Sequence, residues 1–279
     1  MSFHETPPVT IGESTYDVRF AGPDGGTPVM LLHGFPETSL SWSAVAPLLA
    51  DAGLRVIAPD QRGYSPGARL PEVSDYATEV LADDAIALAD ALEIRSFHLV
   101  GHDWGAAVAW VAAAKHADRL HSLTAVSVPH LAAYGAALMN DPDQQQRAAY
   151  IGLLRQEGKA EHLLLEDGGE RLKAMYGDAV PAEQAAAYIA HLSEPGALTA
   201  ALNWYRAMTA DLSSLPAVTV PTTYVWSDQD IAIGRVPAEQ CHEFVDADYR
   251  FVELGGVTHW IPEQAPGALA KAIIDRVRA

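Results

Sequence analysis

The sequence predicts an α/β fold, in which a mainly parallel sheet carries helices on both faces and a helical segment is inserted late in the chain. Three observations lead to this prediction. Seven apolar, strand-like runs recur along the chain, and helical patterns separate most of them. A glycine-flanked turn joins one of these strands directly to a helix. The alternation of strand and helix then breaks after Pro129, and strand patterns return only at Val218.

The strand-like runs are short and nearly continuous in apolar residues, which is typical of strands covered on both faces. Between them, three segments repeat apolar residues with helical spacing and are expected to pack on the sheet. The expected strands are Tyr16–Phe20, Val29–His33, Val56–Pro59, Phe97–Gly101, Ser122–Val128, Thr222–Trp226 and Arg250–Leu254, and the expected helices are Ser41–Ala52, Ala77–Leu92 and Ala106–Lys115.

The segment 132–213 is rich in Ala, Leu, Glu and Gln and contains no convincing strand. A helical block that interrupts a parallel sheet lies over the carboxyl edge of that sheet, where such folds bind ligands. We therefore expect a core formed by residues 1–131 and 214–279, with a helical cap formed by residues 132–213.

Composition excludes several classes of partner. The formal net charge of −18 leaves no basic surface for nucleic acid or for an anionic membrane. The chain has one cysteine, Cys241, so no internal disulfide forms, and Cys241 beside His242 makes a poor metal site. The first residues lack the charged start and apolar run of a signal peptide. We expect a cytoplasmic protein without metal or organic cofactor, either a monomer or a homodimer.

The turn at Gly101–Gly105 (GHDWG) carries the most chemical information. It follows the strand-like run Ser96–Val100 and precedes the helical run Ala106–Ala112, an arrangement typical of a nucleophile elbow. Its middle residue, Asp103, is ionised at neutral pH and suits displacement at an sp³ carbon. A helix-capping aspartate after a strand is the alternative for an isolated motif of this kind.

A second apolar strand ends in the turn His33–Glu37 (HGFPE). Together with the sequence GHDWGA from Gly101 to Ala106, it resembles the epoxide hydrolases of the α/β-hydrolase family. The resemblance implies an oxyanion hole formed by the main-chain N–H groups of Phe35 and Trp104, and a cis Phe35–Pro36 bond. We expect His33 to orient this loop and not to act as a base.

The family order of nucleophile, acid and histidine selects the rest of a catalytic triad. Among eleven histidines, His259 lies in a glycine-containing turn after a late strand, where this fold places its base. The acid follows the preceding strand, in which both Asp228 and Asp230 are candidates. The family spacing favours Asp230, and Asp228 is then a turn residue.

Two tyrosines of the cap segment complete the resemblance. The sequence NWYR at Asn203–Arg206 matches a cap motif of the epoxide hydrolases whose tyrosine points into the active site, which implicates Tyr205. The segment Tyr150–Glu161 resembles, with one gap, the segment that carries a partner tyrosine, which implicates Tyr150. Each tyrosine is otherwise an ordinary packing residue. We also expect Trp204 and Leu154 to contribute to an apolar substrate cleft.

These residues together imply hydrolysis of a small apolar epoxide to a vicinal diol, with water as co-substrate. Asp103 attacks an epoxide carbon while Tyr150 and Tyr205 donate to the ring oxygen, and His259 then directs water onto the ester. The main alternative is a haloalkane dehalogenase with the same nucleophile. Those enzymes commonly carry asparagine where this chain has Phe35, and they lack the tyrosine pair. A binding protein on the same fold is a further alternative, which turnover of any epoxide excludes.

Overall fold

The computed structural model describes residues 3–208 and 214–279. Its centre is an eight-stranded sheet in the order β1-β4-β6-β5-β7-β8-β9-β10, with a separate hairpin of β2 and β3. The first three strands of that order pair antiparallel, and all later neighbours pair parallel. The strands are β1 His4–Glu5, β2 Val9–Ile11, β3 Ser14–Tyr16, β4 Val18–Ala21, β5 Thr27–Leu32, β6 Leu54–Pro59, β7 Phe97–His102, β8 Leu120–Val126, β9 Thr222–Gln229 and β10 Tyr249–Thr258.

Helices cover both faces of the sheet, as the sequence predicts. The helices are α1 Ala46–Asp51, α2 Thr78–Ala91, α3 Trp104–Lys115, α4 Leu131–Asn140, α5 Pro142–Arg147, α6 Ile151–Leu154, α7 Lys159–Leu165, α8 Glu170–Tyr176, α9 Ala182–Leu192, α10 Ala197–Ala207, α11 Arg235–Gln240, α12 Ile261–Gln264 and α13 Pro266–Val277. The predicted α/β fold with a mainly parallel sheet is therefore confirmed.

Two predicted elements differ from those observed. The run Tyr16–Phe20 is broken at Asp17, whose N–H donates to the Ser65 hydroxyl while its carbonyl accepts from Asp60. The predicted helix Ser41–Ala52 is a 3₁₀ turn followed by α1. Pro47 lies in the first turn of α1. Because proline lacks an N–H group, it is tolerated at the start of an α-helix but interrupts a longer one.

Burial on both faces of the sheet explains the continuous apolar runs. In β5, Val29 and Leu31 face a cluster that includes α1 and α13, whereas Met30 and Leu32 face the cluster that includes α2 and α3. All four side chains are at most 1% exposed. Alternate residues of a strand point to opposite faces, so a strand between two helical layers needs apolar residues at every position.

Helices α4 to α10 lie between β8 and β9, and among residues 131–208 no strand interrupts them. Hydrogen bonds join this helical segment to loops at the carboxyl ends of β5 and β6. The Tyr176 hydroxyl donates to the Pro36 carbonyl at 2.5 Å, and the Trp204 indole donates to the Arg62 carbonyl at 3.0 Å. The last residues of the predicted cap, 209–213, lie outside the described residues. In the part of the chain that is described, no helix is long and apolar enough to cross a membrane.

The turn between β7 and α3 requires glycine on both sides of Asp103. A Cβ at Gly101 would lie 2.1 Å from the Gly105 carbonyl oxygen, and a Cβ at Gly105 would lie 2.2 Å from the Leu32 carbonyl oxygen. Both obstacles are backbone atoms that cannot rotate away. The two glycines therefore allow the strand and the helix to pass at close range.

We expect Gly105→Ala to lower the free energy of unfolding by about 3 kcal/mol or more, because overpacking against backbone forces the strand and helix apart. Chemical denaturation of the purified variant measures this change. Gly267→Ala, in α13 where a Cβ meets nothing within 4 Å, is the matched control and should be neutral or slightly stabilising. Equal unfolding midpoints for the two variants would contradict the steric argument.

Candidate active site

Asp103 lies at the tip of the β7–α3 turn with φ 52° and ψ −120°, a conformation that L-residues rarely adopt. It occupies the N-cap position of α3, yet its side chain makes no capping hydrogen bond. The carboxylate instead faces the loop after β5 and the turn after β10. The capping alternative therefore does not explain this residue.

The loop after β5 supplies a donor to this carboxylate. The main-chain N–H of Phe35 donates to Asp103 Oδ1 at 2.9 Å. The Phe35–Pro36 bond is cis, as the resemblance implies. A Cβ at Gly34 would lie 2.4 Å from the Asp103 Cβ, so glycine is needed where this loop passes the carboxylate. The N–H of Trp104, the first residue of α3, lies at a helix N-terminus, where main-chain amides lack a partner within the helix.

His259 stands between two carboxylates. Its Nε2 lies 3.3 Å from Asp103 Oδ2, and its Nδ1 lies 3.0 Å from Asp230 Oδ1 and 3.1 Å from Asp230 Oδ2. Asp230 is 1% exposed, and it also accepts hydrogen bonds from the N–H groups of Ala232 and Ile233 at 2.8 and 3.0 Å. The residues that the sequence assigned to a triad are thus in contact in the predicted order.

The choice between the two acidic candidates is decided by position. Asp228 lies in the exposed part of β9, and its Oδ1 accepts from the Gly256 N–H at 2.7 Å, which fits its predicted role in a turn. Asp230 lies two residues further on, directly after β9, and its carboxylate is 3.0 Å from the buried imidazole. Of these two aspartates, only Asp230 contacts His259.

The two carboxylates and the imidazole shift one another's protonation. Burial disfavours the charged imidazolium, but Asp230 and Asp103 outweigh it and raise the pKa of His259 well above its usual value. Burial likewise opposes ionisation of Asp103, and the contact with His259 outweighs it and lowers the Asp103 pKa. The resting arrangement is therefore a carboxylate, an imidazolium and a second carboxylate.

A cavity of about 540 Å³ of empty space, including its opening, lies above Asp103. Its wall is mostly apolar, with side chains that include Leu131, Ile151 and Ile233. Tyr150, at the start of α6, and Tyr205, in α10, line the same cavity, and their ring centroids are 6.4 Å apart. An apolar cavity with a few converging polar groups is the usual form of a small-molecule site.

The phenols of the cavity remain protonated at neutral pH. Burial raises the pKa of Tyr205, which is 3% exposed, well above the usual value, and the nearby Asp103 charge adds to the shift. The pKa of Tyr150 shifts in the same direction where its phenol enters the cavity, although the residue as a whole is 38% exposed. The Trp104 and Tyr205 rings pack edge-to-face in the cavity wall, with their centroids 5.0 Å apart.

Two residues expected in the substrate cleft lie elsewhere. Trp204 is 1% exposed and packs its indole edge-to-face against Tyr64 and Trp104, outside the cavity wall. Leu154 is 3% exposed and lies in the core, and Ile151, one helical turn earlier, reaches the cavity instead. Neither side chain lines the cavity, because helical spacing alone did not show which side of α6 and α10 faces inward.

Several residues of the site were missed or left without a role. Ser127, with φ 68°, places its hydroxyl 2.7 Å from Asp230 Oδ2 and 3.0 Å from His259 Nδ1. Tyr134, in α4, lines the cavity as a third phenol. Glu37 and His102 are fully buried beside the site, although both lie within motifs that the sequence singled out. Their adjacency to His33–Pro36 and to Asp103 was the available signal.

His33 has the supporting position that the sequence suggests. Its Nδ1 lies 3.0 Å from the Gly34 carbonyl and its Nε2 accepts from the Gln61 N–H at 3.2 Å. Burial lowers its pKa to about 4, so it is neutral and fixed between two loops. Within residues 3–208 and 214–279, no group of three or more His, Cys, Asp or Glu side chains is arranged to hold a metal ion.

Comparison with known proteins defines the class of this chain. Residues 27–266 match the family described as having the alpha/beta hydrolase fold. The chain therefore belongs to the α/β-hydrolase fold family.

Within this fold family, the chain is similar to several proteins that are named as epoxide hydrolases. The chain is 32% identical to the AB hydrolase superfamily protein YfhM of Bacillus subtilis, over 95% of this chain and 94% of that protein. It is 31% identical to Epoxide hydrolase A of Mycobacterium tuberculosis, over 91% of each. The crystal structure of Epoxide Hydrolase A from Mycobacterium thermoresistibile superposes with a TM-score of 0.86 at 27% identity, over 100% of this chain and 99% of that one. The predicted resemblance to epoxide hydrolases is confirmed.

Proposed function

We propose that this protein hydrolyses small apolar epoxides to vicinal diols through an ester on Asp103. One observation carries the proposal: a single cavity holds an ionised carboxylate at its floor and two neutral phenols in its wall, with a buried histidine behind the carboxylate. Relatives named as epoxide hydrolases support the same reaction. The substrates are the epoxide and water, and the chain's own residues supply every catalytic group.

In the first step, Asp103 Oδ2 attacks an epoxide carbon while Oδ1 stays bound to the Phe35 N–H. Negative charge grows on the ring oxygen as the C–O bond breaks. Tyr150 and Tyr205 stabilise this charge by donating hydrogen bonds, because both hydroxyls are neutral donors facing the cavity. The ring oxygen takes a proton from one phenol, which solvent restores, and the product of this step is a hydroxyalkyl ester of Asp103.

Ester formation prepares the second step. The Asp103 charge is one cause of the raised His259 pKa, and esterification removes that charge. The His259 pKa then falls, and the imidazolium releases its proton to solvent. The neutral imidazole that remains can take a proton from water. Water attacks the Asp103 carbonyl carbon, the N–H groups of Phe35 and Trp104 stabilise the oxyanion, and Asp230 stabilises the imidazolium. The ester C–O bond then breaks, the departing oxygen takes the proton of the newly added hydroxyl group, and the diol leaves with the Asp103 carboxylate and the imidazolium regenerated.

We further propose that helices α4 to α10 act as the cap of residues 132–213. Its two tyrosines reach the cavity from α6 and α10, and its hydrogen bonds end on the loops after β5 and β6. A cap held there limits access of water to the ester while the epoxide is bound.

A substrate panel tests the reaction class. We expect diol from terminal, cis, trans and aryl epoxides, with rates that differ among them, and no halide from haloalkanes of similar size. A departing halide is held by side-chain N–H donors, and Phe35 supplies none. Diol analysis by chromatography and halide analysis on the same preparation are the measurements. Release of chloride or bromide without diol would favour the dehalogenase.

A further inference from the structure

Three titratable side chains, those of His102, Glu37 and Glu263, lie together behind the candidate active site. His102 Nε2 lies 2.9 Å from the main-chain carbonyl oxygen of His259, and His102 Nδ1 lies 3.1 Å from Glu37 Oε2. Both His102 and Glu37 are 0% exposed. The main chain of the proposed base is therefore held by an imidazole that is itself held by a carboxyl group.

The same group continues to the helical segment through Glu263 in α12. Glu263 Oε1 accepts from the Tyr188 hydroxyl at 3.2 Å and from Gln184 Nε2 at 3.3 Å, and both of these donors are in α9. The carboxyl groups of Glu263 and Glu37 are hydrogen-bonding neighbours. A continuous series of contacts therefore joins Tyr188 in α9 to Glu263, Glu37, His102 and the main-chain carbonyl of His259.

The acceptor atoms in this series of hydrogen bonds show which atoms carry the protons. The His259 carbonyl accepts only, so His102 carries its proton on Nε2. Burial lowers the pKa of His102, which leaves Nδ1 as an unprotonated acceptor. A carboxylate cannot donate to Nδ1, and Glu37 therefore donates from Oε2 as a carboxylic acid.

Two buried oxygen atoms without a hydrogen-bond partner indicate that Glu263 also carries a proton. Glu37 Oε1 and Glu263 Oε2 are buried, and neither has a hydrogen-bond partner when both groups are treated as carboxylates. Buried polar atoms are normally satisfied, and two ionised carboxylates in contact repel each other. A proton on Glu263 Oε2 that is donated to Glu37 Oε1 satisfies both atoms at once. Every donor in the series of hydrogen bonds from Tyr188 to the His259 carbonyl then has an acceptor.

We propose that Glu263 and Glu37 share the protons of one continuous hydrogen-bond chain from α9 to His259, and that Glu263 is a positioning residue for the hydrolytic step. Loss of one proton from the pair to solvent, from Glu37 first, leaves His102 Nδ1 without its donor, breaks the series of hydrogen bonds and releases the main chain of His259. The kinetic part of this inference rests on the proposed function. The protonation of the pair does not.

The surroundings favour the protonated state. Burial raises the pKa of Glu37 to about 7 and raises the pKa of Glu263 well above its usual value. The folded protein then binds these protons more tightly than the unfolded chain, so this contribution to stability is full at low pH and is lost as pH rises. The titratable groups that face the pair are His102 and Asp103 beside β7, His259 after β10, Tyr64 after β6, Tyr176 in α8 and Tyr188 in α9.

Glu263→Gln tests the pair, because glutamine keeps an acceptor for Tyr188 and offers Glu37 a donor that does not titrate. Between about pH 5 and about pH 9, we expect the wild-type Tm to fall by about 4 °C more than that of the variant. Glu243→Gln, an exposed carboxyl elsewhere on the surface, is the matched control and should follow the wild type. Infrared difference spectra at neutral pH should show that Glu263→Gln removes a carboxylic acid C=O band.

Single-turnover kinetics separate positioning from mere stability. Raising the pH should slow hydrolysis of the ester in the wild type about tenfold, leave alkylation of Asp103 unchanged, and have less effect on hydrolysis in Glu263→Gln. If Glu263→Gln does not fold, Tyr188→Phe removes one donor to Glu263, and its carboxylic acid band should persist to higher pH. Equal pH dependence of Tm in wild type and variant, with no acid band lost, would overturn the proposal. If no epoxide reacts at all, the proposed function fails while Tm and infrared spectra still decide the proton sharing.

Discussion

Replacing Asp103 by alanine should reduce epoxide turnover by at least about 10⁴-fold, because the nucleophile of the first step is lost. His259→Gln should lose turnover to a similar extent for a different reason. Its Asp103 can still be alkylated, but no base remains to activate water against the ester. Intact-mass spectrometry of His259→Gln with substrate should show one added substrate mass, located on the peptide that contains Asp103.

Isotope labelling checks the same step in the unmodified protein. Repeated turnover in ¹⁸O-labelled water should place label in the Asp103 carboxylate, because water attacks the ester carbonyl and not the substrate carbon. Asp228→Asn is the matched control, since that carboxyl lies outside the contacts of His259, and it should keep near-normal rates. Label that enters the diol in a single turnover, with none in the protein, would show direct attack by water.

Tyr205→Phe and Tyr150→Phe should each slow alkylation by Asp103 about 10²- to 10³-fold, since each removes a donor worth about 2 to 4 kcal/mol in the transition state. The loss is smaller where the remaining phenol compensates, and the double variant should be nearly inactive. Single-turnover alkylation rates are the measurement. Folding should be almost unchanged because phenylalanine fills the same space.

Tyr176→Phe provides a control among the buried tyrosines. Its hydroxyl donates to the Pro36 carbonyl and is not part of the cavity wall, so its effect should be mainly on stability. Unchanged alkylation rates in both Tyr150→Phe and Tyr205→Phe would mean that these tyrosines only pack. That result would remove the epoxide assignment while leaving Asp103 as a nucleophile for other substrates.

The sequence alone determined the fold class, and it named most of the residues that the structure brings together at the candidate active site. Strand periodicity and the glycine-flanked turn at Asp103 predicted a parallel sheet with a strained turn above it, because only a covered sheet needs apolar residues at every position. The resemblance to epoxide hydrolases implied Asp230 and His259, through the family's order of residues and its spacing after each strand. These signals are local, since each depends on a few neighbouring residues whose backbone conformation their own chemistry restricts.

Tertiary structure alone decided which side chains reach the cavity and which groups share protons. Trp204 and Tyr205 are neighbours in one helix, yet one packs in the core and the other faces the ligand, a distinction set by the rotation of α10 against the sheet. Glu37 and Glu263 are distant in sequence, and only the fold brings their carboxyl groups together. Their protonation follows from burial and contact, physical conditions that exist only once the chain has folded.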